Sequence, residues 1–199
     1  MGGCPSSSLE IDVYLGFKRG FAGGDWNYDF GYLRYNYPGN YPGMYAAWGV
    51  VKPNTDELYA ALGYKWLTAK ISYALGDTFG FDDASGSYYA ELNAAVPLGG
   101  SGFTLGAHVG YQKFKGGMGG VAAGTYAAAG FDNGAWSYYD WKIGLNKEIA
   151  GLNWGLALKG TDTDGQRVGA DGVTYNIWQN PYGNNLGDSQ VALSVQKTF

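Results

Sequence analysis

Apolar residues recur at every second position through nine segments of roughly ten residues each, the period of a strand that shows a different face to either side. The segments are SLEIDVYLGFK (8–18), DWNYDFGYLRYNY (25–37), DELYAALGYK (56–65), LTAKISYALG (67–76), SYYAELNAAVPL (87–98), FTLGAHVGYQK (103–113), SYYDWKIGLNK (137–147), LNWGLALKG (152–160) and SQVALSVQKTF (189–199). None carries a helical period. Leu9, Ile11, Val13, Leu15 and Phe17 share one face of the first segment, with Glu10, Asp12 and Lys18 on the other. In the second segment the alternation changes phase near Gly31, where Trp26, Tyr28, Phe30 and Tyr32 give way to Leu33, Tyr35 and Tyr37. A β-bulge is expected there.

A water-soluble sandwich would hide such an apolar face inside, so strand length is used to separate the two architectures. Sandwich strands commonly run about five or six residues, whereas a tilted strand crossing a bilayer needs about 9 to 11. The segments fit the longer figure. The connections at 19–24, 66, 99–102 and 148–151 are short and alternate with longer ones at 38–55, 77–86, 114–136 and 161–188. Short turns at one end and long loops at the other characterise an outer-membrane barrel. Tyr35, Tyr37, Trp66, Tyr88, Trp136 and Tyr138 lie near segment ends, where amphipathic rings are expected at headgroup depth. The last segment places Val191, Leu193, Val195 and Phe199 on one face. That ending resembles the signal by which the barrel-assembly machinery recognises bacterial outer-membrane barrels.

Composition agrees with this picture. The chain has 35 Gly, 18 Tyr, 9 Phe and 7 Trp, only 15% charged residues and a mean hydropathy of -0.22, against about 25% charged in an ordinary soluble domain. Regular alternation separates it from a disordered Gly/Tyr-rich chain. A net charge of -4 offers no basic stripe for nucleic acid. No apolar run reaches the length of a transmembrane helix, about 18 residues. Cys4 is the single cysteine, which excludes an internal disulfide or a CxxC site, and it reads as a free thiol in a tail. One domain is expected over 1–199, with 1–8 outside the sheet.

The polar face carries the candidate chemistry. Glu10, Asp12, Asp29, Glu57, Glu91 and Asp140 are acidic there, and Lys18, Lys65, Lys70, Lys142 and Lys159 basic. Thr104, the single histidine His108, and Gln112 share the face. Cross-strand pairing of these charges around a water path makes Glu10, Asp12, Asp29, Lys70, Glu91, His108, Asp140, Lys142 and Lys159 the expected pore-lining set. Catalysis by His108 would need Ser72 or Asp140 as a partner, yet no GxSxG elbow occurs, so no enzyme is expected. The loop TDTDGQ (161–166) faintly resembles a calcium loop, but Val173 stands where its glutamate belongs. The run GGMGGVAAG (116–124) lacks the lysine and strand-to-helix context of a phosphate cradle. No metal or other cofactor is implied.

The stretches DELYAALGYKWLTAKISYALGDTFG (56–80), SYYAELNAAVPLGGSGFTLGAHVGYQKFKG (87–116) and SYYDWKIGLNKEIAGLNWGLAL (137–158) resemble the TorF family of porins, small outer-membrane barrels of Gram-negative proteobacteria. YDFGYLRYNYPG (28–39) and the ending SVQKTF are similar too, so the resemblance runs from Ser8 to Phe199. It implies an antiparallel up-and-down transmembrane β-barrel of about twelve strands, set in outer-membrane lipid and passing small solutes or ions by diffusion. The alternative is a non-conducting barrel acting through its external loops. Family members carry a signal peptide and about three further strands ahead of the segment matching SLEIDVYLGFK, and parity asks for an odd number more, since bacterial single-chain barrels have even strand counts. The chain is therefore expected to be an amino-terminally truncated copy whose first eight residues are the end of an external loop. Its sheet is expected to leave two unpaired edges. The resemblance brings no catalytic or binding residues.

Overall fold

The structure is a computed structural model, and it describes residues 9–39, 51–118, 123–180 and 182–197. The expectations for Cys4, for 1–8 and for Phe199 fall outside the described residues, as does part of the glycine-rich loop.

All nine alternating segments form strands. They are β1 (Ile11–Phe21), β2 (Trp26–Asn36), β3 (Thr55–Tyr64), β4 (Leu67–Ala74), β5 (Tyr88–Pro97), β6 (Phe103–Lys113), β7 (Tyr138–Ile149), β8 (Leu152–Thr161) and, after two short strands, β11 (Gln190–Gln196). The sheet runs in the order β1-β2-β3-β4-β5-β6-β7-β8-β11, antiparallel throughout. It is an up-and-down meander, and it is not closed: β1 pairs with β2 alone and β11 with β8 alone. The short strands β9 (Gln166–Val168) and β10 (Thr174–Asn176) form a separate hairpin inside the last long loop, which the sequence pattern did not indicate.

The expected alternation of connections is present. Lys65 and Trp66 join β3 to β4, and Ala150 and Gly151 join β7 to β8. Ala150 and Gly151 have φ of 54° and 72°, both positive, as the twist-matched two-residue hairpin turn requires. The described parts of the long connections lie at the opposite end, where they pack on one another. Ala84, Phe114, Ala129, Ala135 and Ile177 are buried there. Asn133 Nδ2 ties two loops together, donating to the carbonyls of Asp82 at 2.8 Å and Lys115 at 2.9 Å.

The bulge expected near Gly31 is absent. Pairing runs without interruption from Trp26 to Asn36 along β1, and from Trp26 to Tyr35 along β3. The phase change has another cause. Above Gly31 the two faces exchange character, with Leu33 and Tyr35 on the polar face and Arg34 on the apolar one. Arg34 Nη1 reaches both carboxylate oxygens of Asp56 at 2.8 Å, and Tyr32 donates to the same carboxylate. This paired, hydrogen-bonded cluster makes a charge tolerable on that face.

Register fixes which side chains share a face. Leu15, Val191 and Leu193 are 78%, 74% and 71% exposed on the apolar side, so among the described residues none forms a covering layer there. Aromatic rings flank its aliphatic middle. Phe21, Trp26 and Tyr64 adjoin near the short turns, at 6.1 and 4.6 Å between ring centroids. Tyr88, Tyr111 and Tyr139 adjoin near the long loops, at 6.1 and 4.4 Å. The expectation for Tyr35 and Tyr138 is corrected: both stand on the polar face, opposite Asp12 and Gln112.

Candidate functional site: the polar face of the sheet

Two adjacent rows of directly opposed residues cross the polar face. One comprises Lys18, Asp29, Ala61, Lys70, Glu91, Gly110, Asp140 and Thr161. The next, toward the short turns, comprises Thr68, Asn93, His108, Lys142, Lys159 and Gln190. Asp12 lies on the same face toward the long loops, opposite Tyr35. Glu10 precedes β1 in the same phase. Tyr37, just beyond β2, has its hydroxyl pushed above the usual tyrosine range by burial and then by its hydrogen bond to Glu10.

Lys65 departs from expectation. It sits in the β3–β4 turn, 3.6 Å from Asp25 of the β1–β2 turn, because β3 ends one residue earlier than the alternation implied. Its ammonium is held above the usual lysine range by Tyr64 and then by Asp25.

The centre of the site is a linked polar cluster. His108 Nε2 lies 2.7 Å from Asp140 Oδ1 and 3.0 Å from the Tyr89 hydroxyl, and that hydroxyl donates to Asp140 Oδ2 at 2.9 Å. His108 Nδ1 lies 2.7 Å from Asn93 Oδ1, while Asn93 Nδ2 donates to Glu91 Oε2 at 2.7 Å. Glu91 also faces Lys70 at 3.6 Å. Asn93 is oriented by its bond to Glu91, so each imidazole nitrogen points at an accepting oxygen. The contacts of both nitrogens are thus taken up by Asn93, Asp140, Tyr89 and Glu91, which fix the ring on the polar face. Ser72, the other candidate partner for His108, is buried on the same face opposite Tyr89.

Tyr89 was missed by sequence reasoning, as were Asn93 and Tyr59. Tyr89 stretches from β5 to β7 over Gly110 of β6, where a Cβ would collide with the ring. Tyr59 of β3 lies likewise over Gly31 and Gly16, and donates to Asp29 Oδ1 at 3.1 Å. The available signal was a glycine at a polar-face position in the neighbouring strand. Among the described residues no group of three or more His, Cys, Asp or Glu is gathered as a metal site.

Fold and site together define an all-β protein built on a nine-stranded antiparallel meander, bare and apolar on one side and densely hydrogen-bonded on the other. A family model described as "Bacterial protein of unknown function (Gcw_chp)" matches residues 2–199, and the chain belongs to that family. No curated protein and no solved structure matches it.

Proposed function

We propose that this protein is an outer-membrane β-barrel acting as a passive diffusion channel for small solutes or ions, with its apolar face against lipid and its polar face lining the water path. The observation that carries the reading is an apolar face, continuous across nine strands, that the described residues leave uncovered. A contiguous patch of more than a few hundred Å² is uncommon on a soluble monomer, and in hydrocarbon it costs nothing. The flanking aromatic rings support the same reading. On β6 they are Phe103 and Tyr111, separated by eight steps of about 3.3 Å, or roughly 26 Å along the strand; at a tilt of about 40° that is roughly 20 Å across the bilayer, a little under the apolar band of about 25 Å in such barrels.

An open edge in hydrocarbon leaves backbone N–H and C=O groups without partners. The membrane form is therefore proposed as closed, with β1 and β11 paired directly or through further strands; the TorF resemblance supplies about twelve strands for that count. Insertion by the barrel-assembly machinery, residence in a Gram-negative outer membrane and the absence of catalysis belong to the same proposal.

A second reading, a non-conducting barrel that works through its loops, is favoured by the loops' own packed core, in which Tyr126, Phe131, Trp136 and Tyr175 form adjoining pairs. Planar-bilayer recording of the full chain separates the two. Discrete conductance steps are expected; no events above leak would overturn the channel and leave the loop reading.

A further inference from the structure

The charges of the polar face are unequally paired. Glu91 faces Lys70, and Asp140 is held by His108 and Tyr89. Lys142 and Lys159 stand directly opposite each other on β7 and β8. Among the described residues neither has a carboxylate within 4.0 Å. Like charges directly across a sheet repel, and no described carboxylate is in ion-pair contact with either ammonium group to offset that repulsion.

Beside it, toward the short turns, lies a hollow of about 520 Å³, within the range of metabolite pockets, about 300 to 1,000 Å³. Its floor is a row of small residues: Ala95, Gly106, Gly144, Ala157 and Ala192 oppose one another in turn across β5, β6, β7, β8 and β11. The far rim carries Asn146 and Ser194, both crowding the bare backbone of Gly155. The near rim carries Asn93, His108 and the two lysines. Among the described residues lining it there is no Asp or Glu. Glu91, Asp140 and Asp188 share a separate hollow with the lysines on the long-loop side.

We propose that this hollow binds a small, multiply charged oxyanion, a phosphate or polycarboxylate, with its charged group between the ammonium groups of Lys142 and Lys159. The small floor residues give the ligand room. The lysines supply point charges suited to oxyanions, and the Asn146 amide and Ser194 hydroxyl supply neutral hydrogen bonds at the opposite rim. This deepens the channel reading and rests on it for a wetted polar face, naming anionic solutes as the preferred class.

The test is calorimetric titration of the full folded chain in detergent, at low ionic strength, with sodium phosphate and separately with sodium citrate. Wild-type protein is expected to bind at least one. Lys142→Gln and Lys159→Gln are each expected to weaken it about tenfold, the effect of one charge at about 4 Å in a wet site, with Arg at either position retaining it. Lys115→Gln, in an exposed loop, controls for overall charge. Binding of neither probe, unchanged binding in the double Gln variant, or an equal loss in Lys115→Gln would overturn the site. Bilayer recording of the same samples keeps the two claims apart. Conductance with no lysine-dependent binding sinks the site alone, and lysine-dependent binding with no conductance sinks the channel alone.

Discussion

The Tyr89 hydroxyl donates to Asp140 Oδ2 at 2.9 Å, so a side chain of β5 is bonded to one of β7 across the glycine of the strand between them. This bridge spans three strands on the polar face and fixes His108 from one side, while Asn93 holds it from the other.

Removing the bridge should loosen the sheet locally without unfolding it. Tyr89→Phe and Asp140→Asn are each expected to destabilise the protein, with a coupling of about 1 kcal/mol between them in a double-mutant cycle measured by urea unfolding in micelles. Gly110→Ala drives a methyl group against the Tyr89 hydroxyl and Asp140 Oδ2 and should reproduce the loss of Tyr89→Phe. Additive effects of Tyr89→Phe and Asp140→Asn would mean that the bond contributes nothing.

Ala60 and Ala61 are neighbours in β3 that face opposite ways, Ala60 between Phe30 and Ile71, Ala61 between Asp29 and Lys70. Ala60→Lys places a charge in the middle of the apolar face and is expected to cost about 2–4 kcal/mol in liposomes. Ala61→Lys should stay within about 1 kcal/mol of wild type in a wet environment. Equal effects would contradict the assignment of one face to lipid.

The Asp171 carboxylate is held below the ordinary aspartate value by the Tyr175 hydroxyl, which donates at 2.7 Å, and then by the Val173 amide. A lowered folded value means the contact stabilises the β9–β10 loop above the unfolded value of 3.8. That stabilisation is lost as pH falls from there through the folded value. Hydrogen-exchange protection of the Gly169 amide, which donates to the Val173 carbonyl at 2.8 Å, should therefore weaken at acid pH in wild type. In Tyr175→Phe it should depend less on pH, and the same acid profile in both proteins would contradict the contact.

The strands were legible because each alternates long enough to declare its period and because the long and short connections punctuate them. Register was not legible, and the site depends on it: Tyr89 and Asp140 are 51 residues apart, and only the pairings of β5 with β6 and β6 with β7 bring them together. The bulge expected in β2 came from judging face by apolarity. Arg34 occupies the apolar side because Asp56 on the next strand pairs with it, a partner visible only once β2 and β3 are aligned. Lys65 was misplaced for a smaller reason, since one residue of strand end separates a polar-face position from a turn. The β9–β10 hairpin, with three residues to a strand, is too short to show any period.

Lipid on one face of the sheet and water on the other can be read out by cysteine scanning along β7 in liposomes, with the single native thiol, Cys4, replaced by Ser. Tyr139, Trp141, Ile143 and Leu145 face the apolar side, and Asp140, Lys142, Gly144 and Asn146 the polar side. A charged, water-soluble thiol reagent is expected to label cysteines at the second set and spare the first, which a lipid-borne quencher should reach instead. Uniform labelling along β7, or lipid contact at neither set, would contradict this division of the faces.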